Sequence, residues 1–252
     1  DQRLEFGPLN VFIGGNGSGK SNLVGVFYFL NRIAEQQLQT YTGEAGGANS
    51  LLHFGRKRTE KMSLRVEFQT SPNKANIYEF KLTPTNEDRF IFENEVTYYW
   101  DKKSYPQPYS DDYWSGHVEA KIGESKQRIA RYVQGYLNSY RIYHFHDTSP
   151  TAKVKQTCDV FDNRFLKADA GNLAAFLYRL QKKEVDYFEN IEDTIRQAAP
   201  FFQRFKLEPD ALNPDKIRIE WEEKGSDTYF GPAALSDGTL RYLSLLVILL
   251  DP

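Results

Sequence analysis

The stretch that most constrains this chain is "LNVFIGGNGSGKSNLVGVFYFLNRI", near its start. Gly14, Gly19, Lys20 and Ser21 satisfy the pattern G-x-x-x-x-G-K-[ST], and the flanks have the character the pattern requires. Leu9, Val11, Phe12 and Ile13 form a short apolar run that predicts a buried strand before the loop. Leu23, Val26, Phe27, Leu30 and Ile33 recur at helical spacing after it. Glycines at 14, 15, 17 and 19 let the backbone curl until successive N–H groups converge on phosphate oxygens. A helix beginning near Lys20 adds the positive end of its dipole. Lys20 suits the β- and γ-phosphates, and the Ser21 hydroxyl suits Mg²⁺. The expected ligand is ATP with Mg²⁺, held by Gly14, Asn16, Gly17, Ser18, Gly19, Lys20, Ser21 and Asn22. A glycine-rich turn with an incidental Lys-Ser is the other reading, and it leaves the match of pattern and context unexplained.

A second stretch, "ALSDGTLRYLSLLVILLDP", closes the sequence. Ser236 is a good N-cap, and a helix N-terminus is an anion site. Leu240, Leu243, Val247 and Leu250 give one apolar face, while Leu245, Leu246, Ile248 and Leu249 fill the others. A helix apolar on all sides predicts burial. Alone, the segment is an ordinary capped core helix; beside a phosphate loop it reads as a second nucleotide contact.

"GGNGSGKSNL", with Asn16 and Asn22, resembles the ABC-type ATPases of the SMC/RecF group, and "ALSDGTLR" then resembles their signature motif. The resemblance implies an α/β P-loop NTPase fold: an ABC-type head with an antiparallel β lobe and a helical signature lobe. It also implies a homodimer that sandwiches two ATP molecules. Ser236, Asp237 and Gly238 of one copy would meet the γ-phosphate held by Lys20 of the other, giving Lys20 and Ser236 (in trans) catalytic roles. The interval from Ser21 to Ser236 is longer than transporter ATPase subunits need. No heptad pattern persists within it, so the long coiled coil of SMC heads is excluded. What remains is similar to stand-alone bacterial RecF/OLD-like ATPases. "LLHFGR", "RIYHFHDTSP", "AGNLAAFLYRL", "RIEWEE" and "FGPAALSDGTLR" share the likeness, whereas residues 70 to 135 do not.

As one head, the chain divides into a P-loop core (1–50), an antiparallel β lobe with an insertion (51–123), a helical and returning lobe (124–234) and the signature segment (235–252). After the Gly-rich "TYTGEAGGANS", read as a loop, Leu64, Val66 and Phe68 alternate, then Tyr78, Phe80 and Leu82, then Phe90 and Phe92, then Val96 and Tyr98. Those alternations predict antiparallel strands. "YYWDKKSYPQPYSDDYWSG" reads as a structured loop or protein contact, because Asp101, Asp111 and Asp112 would repel phosphate from its aromatics. "ESKQRIARYVQGYL" predicts a short helix exposing Lys126, Arg128 and Arg131. Arg56, Lys57, Arg58 and Lys61 form the sharpest basic cluster, open to two readings: a solvated turn or a DNA contact.

"RIYHFHDTSP" predicts a strand entering a loop. In the resembling heads that loop carries a glutamine that senses Mg²⁺ and water. No Gln stands here, so His146 or Asp147 is the candidate, with His144 and His146 as strand-end residues in the alternative reading. Four histidines and one cysteine give no zinc-ligand spacing beyond that pair. "DAGNLAAFLYRL" offers Asn172 as N-cap with Leu173, Phe176, Leu177 and Leu180 on one face. A second helix runs through Phe188, Ile191 and Ile195 and ends before Pro200. Strands are expected near Phe205 to Leu207 and Ile217 to Trp221, while Asp169 and Glu184 fit turn and surface roles.

Composition adds bounds. An apolar share of 40% supports a sizeable core, and a net charge of −2 gives no global case for nucleic acid or anionic membrane. Cys158 is the one cysteine, in keeping with a reducing cytoplasm. The longest apolar run, Leu245 to Leu250, is far short of the roughly 20 residues of a membrane span.

Hydrolysis needs a carboxylate for Mg²⁺ and a group that positions water. In the resembling family both come from the Walker B strand, an apolar run ending in Asp-Glu. The residues between Ser236 and Asp251 are consumed by the signature helix, so Asp251-Pro252 reads as the turn before Walker B. The expectation is a head fragment that binds ATP and turns it over slowly or not at all. Two functions follow. One is an ATP-driven dimerising switch in DNA maintenance or phage defence, acting with a nuclease or other effector. The alternative is a nucleic-acid clamp in which nucleotide only sets the shape.

Overall fold

A computed structural model describes residues 2–145 and 147–250. Asp1, His146 and the Asp251-Pro252 turn therefore lie outside the described residues. The chain forms two compact units, Asp1–Ile142 and Tyr143–Pro252.

The first unit carries α1 (Lys20–Ala34), α2 (Leu38–Glu44), α3 (Ala48–Leu51), β1 (Met62–Ser71), β2 (Lys74–Pro84), β3 (Phe90–Asp101), β4 (Tyr109–Asp112) and α4 (Arg128–Ser139). The strands form one antiparallel sheet in the order β1-β2-β3-β4. Leu64 pairs with Phe80 and Phe80 with Glu95, which fixes the register. The alternation read from the sequence is the face that Tyr78, Phe80, Leu82, Phe90 and Phe92 bury. α4 packs on β2 and β3, and α1 packs on α4. Leu30 and Ile33 of α1 and Ala130, Val133 and Leu137 of α4 close this core. Lys126, Arg128 and Arg131 are exposed as expected.

The expected loop "TYTGEAGGANS" is instead mostly helical, as α2 and α3. Both helices are capped from far along the chain. The Glu119 carboxylate accepts from the Leu38 and Gln39 amides at 2.8 and 2.9 Å. Asp88 accepts from Ala48 N through its carbonyl at 2.9 Å and from Asn49 N through its carboxylate at 2.8 Å. A carboxylate on the first amides of a helix satisfies orphan donors and opposes the dipole.

The apolar run Leu9 to Ile13 forms no strand, and its side chains are exposed, Ile13 at 92%. The expectation of a buried strand is corrected here. An isolated strand has neither ladder nor covered face, and no described strand pairs with this run. β4 lies within the Tyr-rich insertion, pairing Tyr109 with Tyr99 and Asp112 with Val96.

A buried polar knot pins β3 to the 117–122 segment. Glu95 is fully buried, and its Oε1 accepts from the Tyr78 hydroxyl at 2.8 Å and Ile122 N at 3.1 Å. Its Oε2 accepts from Lys121 N at 2.8 Å, with His117 Nε2 at 3.5 Å. Burial raises the Glu95 carboxyl above its ordinary value.

The second unit carries β5 (Cys158–Asp159), α5 (Leu173–Lys183), α6 (Val185–Ala198), β6 (Phe202–Lys206), β7 (Lys216–Ile217), β8 (Glu220–Glu223), β9 (Tyr229–Phe230) and α7 (Asp237–Leu249). Its ladders are β5-β7 and β6-β8-β9, all antiparallel. Leu173, Phe176, Leu177 and Leu180 of α5 and Phe188, Ile191 and Ile195 of α6 form the predicted buried faces. Phe202, Phe205 and Trp221 cover them from the sheet.

Three expectations change in this unit. Residues 141–145 form no strand, and their recorded backbone tie is His144 N to Ala168 O at 2.8 Å. Asn172 stands at the N-cap of α5 without capping it. Its amide donates to the Asp162 and Phe165 carbonyls, and its Oδ1 accepts from Lys167 N, each at 2.8 Å. α7 is not buried all round: Leu240, Leu243, Leu246 and Val247 are, whereas Leu245 and Leu249 are 50% and 60% exposed.

Candidate nucleotide site

The glycines of the phosphate loop do what their pattern predicts. Gly17 and Gly19 hold φ of 78° and 88°, in the left-handed region that other residues avoid. A Cβ at Gly14 would lie 2.8 Å from Ser18 Oγ, so any side chain there would have to turn the Ser18 hydroxyl aside. Ser18 N reaches back to Gly15 O at 3.4 Å.

α1 starts at Lys20 with Gly19 as N-cap and no side-chain cap. Helix geometry leaves the first-turn amides of Lys20, Ser21 and Asn22 without intrahelical acceptors. No acidic residue occupies that turn. A phosphate is the ligand such a terminus fits. Lys20 Nζ lies over the loop, donating to the Gly14 and Gly15 carbonyls at 2.7 Å each and to Ser18 Oγ at 3.2 Å. The ammonium is thus held at the mouth of the curl, where a charged hydrogen bond to phosphate can replace those to the carbonyls. Asn16, Ser18, Ser21 and Asn22 are exposed at the same rim. The residues fit a nucleotide triphosphate. Ser21 would hold Mg²⁺, which would supply positive charge against that of the phosphates. Among the described residues no cluster of three His, Cys, Asp or Glu side chains adds a metal site.

Ser236 caps α7 as its sequence implies: its Oγ accepts from Thr239 N at 3.1 Å and is hydrogen-bonded to Thr239 Oγ1 at 2.8 Å. Ser236, Asp237 and Gly238 are all exposed, so the polar turn stands free while the helix behind it is anchored by Leu240 and Leu243.

The structure also shows what holds this turn, which no motif revealed. Lys155 Nζ donates to the Thr148 carbonyl at 2.6 Å and faces Asp237 Oδ1 at 3.4 Å. Arg241 Nη2 donates to Thr148 Oγ1 at 3.2 Å. Thr148 is buried, and Asp147 beside it accepts from Ser149 N at 3.0 Å. The side-chain and backbone bonds from Ser149 hold the Asp147 carboxyl below its usual range. The loop bearing Asp147 is therefore fastened to the serine-capped helix. The local signal was only two lysines in "TAKVKQT" and one arginine after the signature. Asp169 accepts from Gly171 N at 3.0 Å and pairs with Lys153 at 3.1 Å, the turn role expected of it. Glu184 faces Arg179 at 3.7 Å.

No helix among the described residues is long and apolar enough to cross a membrane. Neither the curated proteins nor the solved structures returned a match. A family model does match, over residues 9–252, which takes in both the Lys20 loop and the Ser236 turn. The family implies an ATPase of the P-loop class that binds nucleotide, with Mg²⁺ as the usual companion. The chain belongs to the family described as "AAA domain, putative AbiEii toxin, Type IV TA system".

Proposed function

We propose that this chain is the nucleotide-binding head of an ABC/RecF-like ATPase that dimerises on ATP. Ser236, Asp237 and Gly238 of one copy would complete the phosphate site of the other copy's Lys20 loop. One observation carries the reading: the chain presents two exposed helix starts of opposite design. At Lys20 the terminus is uncapped and glycine-cradled, suited to enclosing a phosphate chain. At Ser236 it is already capped by its own hydroxyl and braced by Lys155, suited to touching a phosphate held elsewhere. The switch would work in DNA maintenance or phage defence, in the cytoplasm, with a nuclease or another effector as partner.

Asp147, on a loop tied to α7 through Thr148, would take the position that senses Mg²⁺ and the attacking water. His146, its neighbour in sequence, shares that assignment. Sedimentation of the chain with Mg²⁺ and a slowly hydrolysed ATP analogue tests the reading. Conversion of monomer to dimer at saturating nucleotide is expected. Nucleotide binding without any change in mass would overturn the dimeric switch and leave the nucleic-acid clamp as the better account.

A further inference from the structure

Between α3 and β1 the chain holds a phenylalanine that lies outside both hydrophobic cores. Phe54 is 73% exposed, and its φ is 57°, a left-handed backbone that is strained for a bulky residue. The turn is fixed from several sides. Gly55 N donates to Leu52 O at 2.9 Å, and Thr59 Oγ1 donates to His53 O at 2.6 Å. Arg56 N donates to Asn49 Oδ1 at 2.9 Å, and Thr59 N to Gly55 O at 3.0 Å. A strained conformation secured this thoroughly, with its ring in water, serves something other than packing.

The ring's surroundings show what it suits. The Arg58 guanidinium lies 5.3 Å from the ring centroid, and the His53 ring meets it edge-on at 4.2 Å. Arg56 reaches across to the β2–β3 turn, to Thr85 O at 3.3 Å and Asn86 Oδ1 at 3.4 Å. Lys57 is exposed beside them. From His53 to Thr59 there are three cations and no acid. A protein-docking patch would bring apolar neighbours to the ring; here its recorded ring partners are a cation and an imidazole.

We infer that the Phe54 turn is a docking platform for single-stranded nucleic acid, with a base stacked on the ring and Arg56, Lys57 and Arg58 on the flanking phosphates. A duplex hides its base faces, so the ring selects for unpaired strands. The inference stands apart from the nucleotide site, since no residue of the Lys20 loop takes part.

Fluorescence anisotropy of the whole chain tests it, using labelled single-stranded (dT)20 and a 20-base-pair duplex over a range of salt. The single strand is expected to bind more tightly, with a log–log salt slope near −2, about 0.7 per phosphate for roughly three contacts. Phe54→Ala should weaken (dT)20 binding by roughly 5- to 150-fold, the worth of one stacked base, and leave the slope unchanged. The triple change of Arg56, Lys57 and Arg58 to Ala should flatten the slope. Phe54→Gly relieves the strain, so it should lose the same affinity while the Tm holds or rises. Lys20→Ala should bind (dT)20 as the parent does, which separates failure here from failure of the nucleotide reading. Equal affinity for duplex and single strand, an unchanged affinity in Phe54→Ala, or no binding at low salt would each overturn the proposal.

Discussion

Lys20→Ala is expected to weaken ATP binding by roughly 10- to 150-fold, the ~1.5–3 kcal/mol of a hydrogen bond to a charged group. The loop around it is made of backbone groups that alanine leaves in place. Gly17 and Gly19 keep their left-handed turns, and the first-turn amides of α1 stay open to a phosphate. The loss should therefore fall on affinity, not on folding. Lys20 makes its recorded bonds within the loop itself, to Gly14, Gly15 and Ser18. Titration with a fluorescent ATP analogue measures the affinity, and a thermal melt without nucleotide checks that the Tm is unchanged. An affinity equal to the parent's would remove the ammonium from the site.

The largest effect on stability is expected at Glu95. Glu95→Ala strands the Lys121 and Ile122 amides and the Tyr78 hydroxyl in the core, at about 1–3 kcal/mol for each group left without a partner. Glu95→Gln should cost less than alanine, because its carbonyl oxygen still accepts from Tyr78 and Ile122 and its NH₂ can donate to His117, but that NH₂ meets the Lys121 amide donor against donor. The His117 ring favours a hydrogen on the Oε2 edge of the Glu95 side chain. Its Nδ1 lies 2.8 Å from the Glu119 carbonyl, which can only accept, so Nδ1 carries the proton. Nε2, buried and without a hydrogen-bond partner, faces Glu95 Oε2 at 3.5 Å. A proton between the two relieves the facing lone pairs.

The pH consequence follows from the raised Glu95 carboxyl. Above the ordinary glutamate value the folded state keeps a proton that the unfolded state has released. The stabilisation is complete below that ordinary value and is lost as pH rises through Glu95's own, higher value. Tyr78, Tyr113, His117 and Lys121 are the titratable neighbours of this site. Denaturant unfolding across that window should show stability of the first unit falling with pH in the parent. The slope should be absent in Glu95→Gln. A parent with no slope there would contradict the assignment.

How much of this could be read from residues alone depended on whether the cause was local. The loop from Gly14 to Ser21 was legible because each glycine and the lysine act on their own neighbours. The long strands β1, β2 and β3 were legible because alternation carries their buried face, and Ser236 because a cap bonds within its own turn. The misses have distant causes. α2 and α3 look like a loop because the carboxylates that cap them belong to Glu119 and Asp88. Asn172 looks like a cap because the loop it serves, 162–167, folds back on it. The run Leu9 to Ile13 has the composition of a buried strand, but burial also requires a neighbour. Lys155 and Arg241 belong to no motif, and only the fold brings them to Thr148.

The central claim, that Ser236 of one copy completes the Lys20 site of another, is tested most directly by mixing two variants. Lys20→Ala removes the phosphate-holding ammonium. Ser236→Asp retains the N-cap but sets a negative charge against the γ-phosphate. Each variant alone should stay monomeric in Mg²⁺ and ATP analogue. An equal mixture should form a heterodimer with one nucleotide bound, because one composite site keeps both its lysine and its serine. A mixture that remains monomeric while the parent dimerises, or a Ser236→Asp variant that dimerises as the parent does, would contradict the claim.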